Sequence, residues 1–306
     1  MALALARSRR GLKTLVVGRP LQGEGRGRFL PGLLVVGVPL VLALAGPLFA
    51  GDAGPRGTSL TTGGGHWLGT DFIGRDVGRQ VLLGGRSVVL VALASTALAY
   101  AVALPLGFVC ALTRRGWVEE LLMRPLDVLL SVPSLLLILL VAAVIAPGPA
   151  GLALLVALVS IPDAARIVRA AGAEAASRPA VEALRMQGES WTRMAFGHIG
   201  RSVVRTLAAD AGVRLTGALY LVATAAFLGV GVAPDASDWA VMVDRNRTGL
   251  FVQPWAVVVP ALLIVALTMG GNLLVDAALA RPGSKGKHAC TPPHSPGRLP
   301  GRTPWP

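Results

Sequence analysis

Charge is scarce in this chain, and lysine, cysteine and histidine are nearly absent from it. Only 15% of its 306 residues are charged, against roughly 25% in an average soluble domain, whereas 53% are hydrophobic. The two cysteines, Cys110 and Cys290, lie in an apolar run and in a polar tail, so we expect no disulfide between them. The four histidines form no H-E-x-x-H pattern, and we expect no metal site.

Sequence patterns of nucleotide binding and catalysis are also missing. None of the three lysines stands in a G-x-x-x-x-G-K-[ST] loop, so we expect no ATP site of the P-loop type. The chain has no G-x-S-x-G elbow and no pair of acids placed for acid–base catalysis. We therefore predict a chain without catalytic residues, without a cofactor and without an enzyme activity of its own.

Long apolar runs are abundant instead. A helix of about 20 apolar residues crosses a hydrocarbon core about 30 Å thick. Six segments fit this pattern, although the fourth is short and continues into DAARIVRAA, which we interpret as a helix leaving the membrane. They are 29–50, 87–112, 121–146, 151–161, 207–232 and 256–279. The sequence therefore predicts an all-α, polytopic membrane protein with six transmembrane helices.

The distribution of the arginines predicts how these helices are oriented. The formal net charge is +13, but the arginines fall between the apolar runs, which is typical of membrane topology and not of nucleic-acid binding. If both termini are inside, the outer segments hold only six basic residues: Arg56, Arg75, Arg79, Arg86, Arg245 and Arg247. We therefore predict an N-in/C-in, multi-pass protein of the cell membrane.

This topology divides the chain into three parts. Residues 1–28 are predicted to form a basic cytoplasmic lead, and residues 29–281 the transmembrane domain. Residues 282–306 are rich in proline, glycine and serine, for which we expect disorder. Within the transmembrane domain, residues 51–86 are predicted to be extracytoplasmic, and residues 179–201 to form a cytoplasmic segment between the fourth and fifth helices.

The cytoplasmic segment has the pattern of an amphipathic helix interrupted by a glycine. Pro179 suits a first helical turn, and Glu182 falls where the positive end of the helix dipole favours an acid. Inside a continuous helix, Gly188 would lower the stability of the helix by roughly 1 kcal/mol relative to alanine. A glycine at this position is therefore more consistent with a turn or with the close approach of another backbone. Two interpretations are open: a helix that contacts another protein, or a helix that lies on lipid headgroups.

The extracytoplasmic segment combines turn residues with opposite charges. Thr70 and Asp71 precede Gly74, Arg75 and Asp76. An exposed Asp–Arg pair contributes only ~0–1 kcal/mol, so we interpret the charges as orienting rather than stabilising. This stretch is either an exposed polar lead-in to the second helix or a ledge that helps to receive an extracytoplasmic binding protein.

Five sequence blocks resemble, in the same order, the permease subunits of bacterial ABC importers of the dipeptide, oligopeptide and nickel family. The resemblance covers roughly residues 67–281. The blocks are LGTDFIGRDVGRQVLLGGRSVVL (68–90), RPLDVLLSVPSLLL (124–137), AARIVR (164–169) followed by E-A-x-x-x-x-G (182–188), FLGVGVAPDASDW (227–239) and PWAVVVPALLIVALTMGGNLLVDAAL (254–279). Gly200 and Arg201 depart from the family, which has Leu-Pro at that point.

The resemblance implies a permease subunit that forms half of a translocation path for peptides or a related small solute such as nickel. It implies four partners: a second permease of similar fold, cytoplasmic ABC ATPases, an extracytoplasmic substrate-binding protein and the bilayer. The implied ATPase-coupling residues are Glu182, Ala183, Arg185, Gly188, Trp191 and Ile199. The implied extracytoplasmic motif, here called the outer motif, is Gly69, Thr70, Asp71, Gly74, Arg75 and Asp76. Residues 179–201 are called the coupling segment below.

Two other functions are compatible with the composition. One is a self-contained secondary transporter or channel, and the other is a membrane-anchored assembly protein without transport. A proton-driven carrier would use an acid near the membrane midplane. The acids in or beside the spans fall instead near predicted cytoplasmic ends, which argues against proton coupling. They are Asp127, Asp163, Asp210 and Asp276.

Overall fold

The computed structural model describes residues 25–51, 56–62, 66–113, 115–190 and 193–279, and this part of the chain is helical, as predicted. The α-helices are α1 Gly25–Phe49, α2 Val77–Leu112, α3 Gly116–Leu130, α4 Ser134–Ile145, α5 Pro149–Ala176, α6 Pro179–Met186, α7 Gly200–Phe227, α8 Trp239–Asn246 and α9 Trp255–Leu279. A π-helical stretch, Arg193–Ile199, leads into α7, and a 3-10 turn, Arg247–Gly249, follows α8. The predicted lead, except for residues 25–28, and the predicted tail lie outside the described residues.

Four of these helices are long and apolar enough to cross a membrane: α1, α2, α5 and α9. The helices α3 and α4 qualify only as a pair, and the pair is bent by 84°. The bend coincides with Pro133, the N-cap of α4, because a proline disfavours helical conformation in the residue before it. The described residues therefore provide four spans, or five if the bent pair counts as one, where the sequence predicts six.

The predicted fifth span corresponds to α7. This helix has 28 residues, enough for about 42 Å, but it carries Asp210 and Arg214 and is not among the apolar spans. The two side chains pair with each other at 3.3 Å, between Arg214 Nη2 and Asp210 Oδ1. A test based on hydropathy counts both residues as charged and does not consider that they pair with each other.

The centre of the bundle is the contact between α2 and α5. Small residues of α2, among them Ala92, Ala99 and Ala103, are fully buried, and Ala153 and Val156 of α5 are buried as well. Small side chains allow helix backbones to approach closely, and in a bilayer this packing is what holds helices together. The helices α1, α7 and α9 then pack around this pair.

Two ion pairs tie α3 to the end of α5 that leads into the coupling segment. Arg166 Nη2 lies 2.5 Å from Asp127 Oδ1, and Arg169 pairs with Glu119. Both arginines belong to the AARIVR block. The basic residues of that block are therefore engaged within the chain.

A tryptophan joins α8 to α2. Trp239 is fully buried, and its indole N–H donates to the carbonyl oxygen of Val81 at 2.8 Å. The indole lies against Gly84 and Gly85. Immediately before it, Asp238 caps α8 by accepting from the backbone N–H groups of residues 240 and 241, and burial raises the pKa of its carboxyl group. The FLGVGVAPDASDW block thus contributes a structural anchor.

Candidate functional site

The coupling segment lies at one end of the bundle, between α5 and α7. Two of its apolar side chains, Val181 and Ile199, are buried and belong to one apolar cluster with residues of α2, α5 and α7. The cluster members from these helices are Phe108, Leu112, Val168, Ala175 and Val203. The segment is therefore anchored at two points, near its start and near its end.

Gly188 ends α6 in a left-handed conformation with φ of +76°. The backbone N–H of Glu189 donates to the carbonyl oxygen of Leu184 at 3.2 Å, which is the bond expected when a glycine follows the helix end in a Schellman motif. A Cβ at Gly188 would have no neighbour within 4 Å. The conformation of the backbone, and not a lack of space, therefore calls for glycine here.

Around the turn, the coupling segment is exposed. Met186 is 79% exposed, and Gln187, Gly188 and Ser190 are exposed too. Arg193 reaches back to Glu189, with 3.1 Å between Nη1 and Oε2. Residues 186–190 together with Arg193 therefore offer an exposed, mainly polar surface at this end of the bundle.

The predicted coupling residues are divided between α6, its C-terminal turn and the buried anchor. Glu182, Ala183 and Arg185 lie in α6, and Gly188 forms the turn. Ile199 is fully buried, so its role within the segment is to hold it against the bundle. Trp191 lies outside the described residues. Of the two departures from the family, Gly200 begins α7, and Arg201 is exposed in its first turn.

The outer motif forms a compact loop at the opposite end of the bundle. Thr70 is 1% exposed, and its hydroxyl donates to the carbonyl oxygen of Thr58 at 2.6 Å. Asp71 is 3% exposed, and one carboxylate oxygen accepts from the backbone N–H groups of Ile73 at 3.0 Å and Arg75 at 2.7 Å. The interpretation as an exposed polar lead-in is therefore wrong for these two residues.

The charges of the outer motif connect it to other elements. The Arg75 guanidinium donates to the backbone carbonyl of Asp235 at 2.8 Å. Asp76 caps α2 by accepting from the Gly78 N–H at 2.7 Å, and its other oxygen lies 2.9 Å from His66 Nδ1. These contacts agree with the predicted orienting role, but the partners of the charges are a carbonyl, a helix end and a histidine.

Two polar residues that the sequence did not single out hold this loop. The side-chain oxygen of Asn246 accepts from the Phe72 N–H at 2.8 Å, and the Gln253 amide donates to the Leu68 carbonyl oxygen at 2.5 Å. Both side chains are almost completely buried. They lie more than 170 residues away along the chain, so no local pattern predicts the contact.

Gly74 of the outer motif provides a test of this loop. Its φ is +78°, and a Cβ there would lie 2.2 Å from the Gly57 carbonyl oxygen. We expect Gly74→Ala to destabilise the loop by about 1–3 kcal/mol and to increase its cleavage rate in limited proteolysis about tenfold or more. Gly51→Ala is the matched control, since φ at Gly51 is +58° but no atom lies within 4 Å. Equal cleavage of both variants would contradict the packing argument.

A cluster of charged side chains lies halfway along the helices. Arg214, in the middle of α7, is placed between two acids: Nη1 lies 3.0 Å from Asp163 Oδ2, and Nη2 lies 3.3 Å from Asp210 Oδ1. Tyr100 of α2 donates its hydroxyl to Asp210. These four residues are called the ion cluster. The sequence predicts Asp163 and Asp210 near the cytoplasmic ends of spans. In the structure α5 continues to Ala176 and α7 begins at Gly200, so Asp163 lies at the centre of α5 and Asp210 is the eleventh residue of α7.

Comparison with known proteins identifies the family of this chain. Residues 103–281 match the family described as binding-protein-dependent transport system inner membrane component. A putative peptide permease protein of Brucella abortus is 32% identical over 69% of this chain and 70% of its own length. The glutathione transport system permease protein GsiD of Pectobacterium atrosepticum is 29% identical, and the probable D,D-dipeptide transport system permease protein DdpC of Escherichia coli K12 is 30% identical, each over 69% of this chain and 70% of its own length.

A solved structure supports the same fold. A chain of the MetNI methionine ABC transporter, in an inward-facing conformation, superposes with a TM-score of 0.51 at 16% identity. The match covers 64% of this chain and 94% of that one. From the family match and the sequence relatives together, the chain belongs to the inner membrane components of binding-protein-dependent transport systems.

Proposed function

We propose that this chain is the permease subunit of an ATP-driven importer and forms half of a translocation path in the bacterial cell membrane. The observation that carries the proposal is the family match over residues 103–281, which includes the whole coupling segment. The chain would have six spans, counting the bent α3–α4 pair and α7, with both termini in the cytoplasm. ATP hydrolysis would take place on a partner chain.

The geometry of the coupling segment supports a contact with an ATPase. Its residues 186–190 are largely exposed, while Val181 and Ile199 hold both flanks of the segment against α2, α5 and α7. A force on α6 would therefore reach α5 and α7 directly. Two conformations that differ by a few kcal/mol are enough for such a gate, if ATP and cargo favour different ones.

The other partners follow from the same proposal. A second permease of similar fold would complete the path, and an extracytoplasmic substrate-binding protein would deliver the cargo near the outer motif. The cargo class would be peptides or a related small solute, since the relatives are named for peptides, a dipeptide and glutathione. Nickel, which the sequence resemblance also implies, is the less supported cargo.

Purification of the tagged full-length chain from native membranes in mild detergent tests the proposal. We expect to recover a second permease and a P-loop ATPase in stoichiometric amounts. Combined substitution of Glu182 and Gly188 by alanine should remove the ATPase and leave the second permease bound. The matched control is Glu120→Ala, since Glu120 is 65% exposed on α3 at the same end of the bundle. Recovery of the chain alone, or as a homodimer, would favour a self-contained transporter or channel.

A further inference from the structure

In the proposed topology, the ion cluster lies at a depth where contact between charged side chains and lipid is strongly disfavoured. Arg214 and Asp163 occupy the centres of α7 and α5, two helices of 28 residues each. Ionisable residues at mid-membrane depth face the bundle interior or a water-filled cavity, and they pair with one another. The charged side chains of the cluster do pair with one another, since Arg214 contacts Asp163 at 3.0 Å and Asp210 at 3.3 Å.

The cluster is nevertheless partly open on the surface of this subunit. The Asp163 side chain is 46% exposed, and Arg214 is 21% exposed. Two carboxylates around one guanidinium leave a net negative charge, which lipid tails would strongly disfavour. The exposed side of Asp163 therefore requires water or a polar partner.

The exposed face of α7 beside the cluster is also unlike a lipid-facing surface. Within two helical turns of Arg214 it carries Gly217 and Tyr220, both exposed, and one turn before Asp210 it carries the exposed Thr206; one aliphatic side chain, Val213, is 48% exposed among them. The exposed face of α1, by contrast, consists of large aliphatic side chains. They are Leu33, Leu34, Val38, Val41, Leu44 and Leu48.

The polar face of α7 is flanked on both sides. On one side, Arg214 contacts Asp163 of α5. On the other side, Tyr220 and Thr224 border a groove of about 320 Å³ between α7, α8 and α9, and the rest of its lining is mostly apolar. The exposed face of α7 therefore lies between the ion cluster on the α5 side and this groove on the α9 side.

We infer that this face of α7, together with Asp163, lines the aqueous passage through which the cargo crosses, and that the ion cluster is the charged part of that lining. The inference rests on the proposed function, and it adds the residues that line the path. It implies that Gly217 and Tyr220, which lie ten and seven residues before the end of α7, are in contact with water in the assembled complex.

Cysteine labelling in membranes tests the inference. A cysteine reacts as the thiolate, which forms in water and not in hydrocarbon. Both natural cysteines are first replaced, Cys110 by alanine and Cys290 by serine. Gly217→Cys is a suitable probe, since a Cβ at Gly217 has no neighbour within 4 Å. The reagent is a membrane-impermeant trimethylammonium methanethiosulfonate, applied to membrane vesicles of both orientations that contain the complex.

The matched control is Leu158→Cys on α5. Leu158 is 43% exposed and lies five residues before Asp163, so it points roughly 140° away around the helix. Both positions lie about 15 Å from the helix ends that meet at the cleft formed by residues 146–149 and 229–233. We expect Gly217→Cys to react at least about tenfold faster than Leu158→Cys, since only its thiol ionises in water. Tyr220→Cys provides a second probe if Gly217→Cys does not accumulate, since Tyr220 is 60% exposed and lies seven residues before the end of α7.

The outcomes separate this inference from the proposed function. Equally slow labelling of the probes and of Leu158→Cys, in a complex that still contains its ATPase, would overturn the passage and show that lipid or the second permease covers the face. Fast labelling of the probes in a chain that recovers no ATPase would support the passage and contradict ATP coupling. Fast labelling of Leu158→Cys as well would also overturn the assignment of this one face.

Discussion

Gly188→Pro is expected to abolish ATP-driven transport while the chain still inserts into the membrane. Proline fixes φ near −65°, whereas Gly188 has φ of +76°, so the turn that ends α6 cannot form. The exposed residues around the turn, 186–190, would then leave their position relative to the buried anchors Val181 and Ile199. A change of more than about 1.4 kcal/mol in the coupling free energy alters the coupled ratio more than tenfold.

A series at this position separates backbone conformation from side-chain contact. Gly188→Asn should be mild, because asparagine enters the left-handed region more readily than other residues, and Gly188→Ala should be intermediate at about 1–2 kcal/mol. The measurement is cargo uptake per ATP hydrolysed in reconstituted vesicles. Gly116→Ala is the control, since Gly116 also has no neighbour within 4 Å but lacks the positive φ. Normal uptake by Gly188→Pro would contradict the coupling assignment.

Much of the helical fold could be predicted because the apolar runs are long and uniform. The segments 29–50 and 256–279 correspond to α1 and α9 with shifts of at most four residues at their ends, whereas α2 begins at Val77, ten residues before the predicted segment 87–112. The sequence failed at α3 and α4, where an apolar run continues through the bend at Pro133. Hydropathy reports the environment of a segment, but it does not report its direction.

The ion cluster shows a second limit of the sequence. Asp163 and Asp210 were expected near helix ends because a charge usually marks the end of a span. In the structure each is paired with Arg214, which removes much of the cost of a charge at that depth. The spacing of Asp210 and Arg214, four residues apart in a helix, was the available signal. The third member, Asp163, is set by tertiary packing.

The two candidate sites differ in how far local sequence determines them. Glycine at position 188 follows from the turn itself, and a capping acid before α2, Asp76, follows from its place before a helix. The burial of Thr70 and Asp71 does not follow from local sequence, since it depends on Asn246 and Gln253. Local turn chemistry was therefore predictable, and the assembly of the outer motif was not.

Trp239→Ala is expected to lower the stability of the bundle by about 3–5 kcal/mol, the range for removal of a large buried aromatic side chain. Trp239 is fully buried, and the substitution also leaves the Val81 carbonyl oxygen without its indole donor. The measurement is the temperature at which half of the detergent-solubilised protein is lost from the monodisperse peak. Trp239→Phe should lose less, since it keeps most of the apolar contact.

Gly85→Val should be comparably severe, because the two residues occupy one site. A Cβ at Gly85 would lie 2.4 Å from the Trp239 ring and 2.7 Å from the Ala43 Cβ. Gly37→Val is the control, since a Cβ at Gly37 in α1 meets nothing within 4 Å. If steric conflict with the indole is the cause, Gly85→Val should cost much less in the Trp239→Ala background than in the natural chain. Additive losses of stability would mean that the two substitutions act through separate contacts. In that case the hydrogen bond from Ser87 to Asp238, and not the indole, would hold α8 to α2.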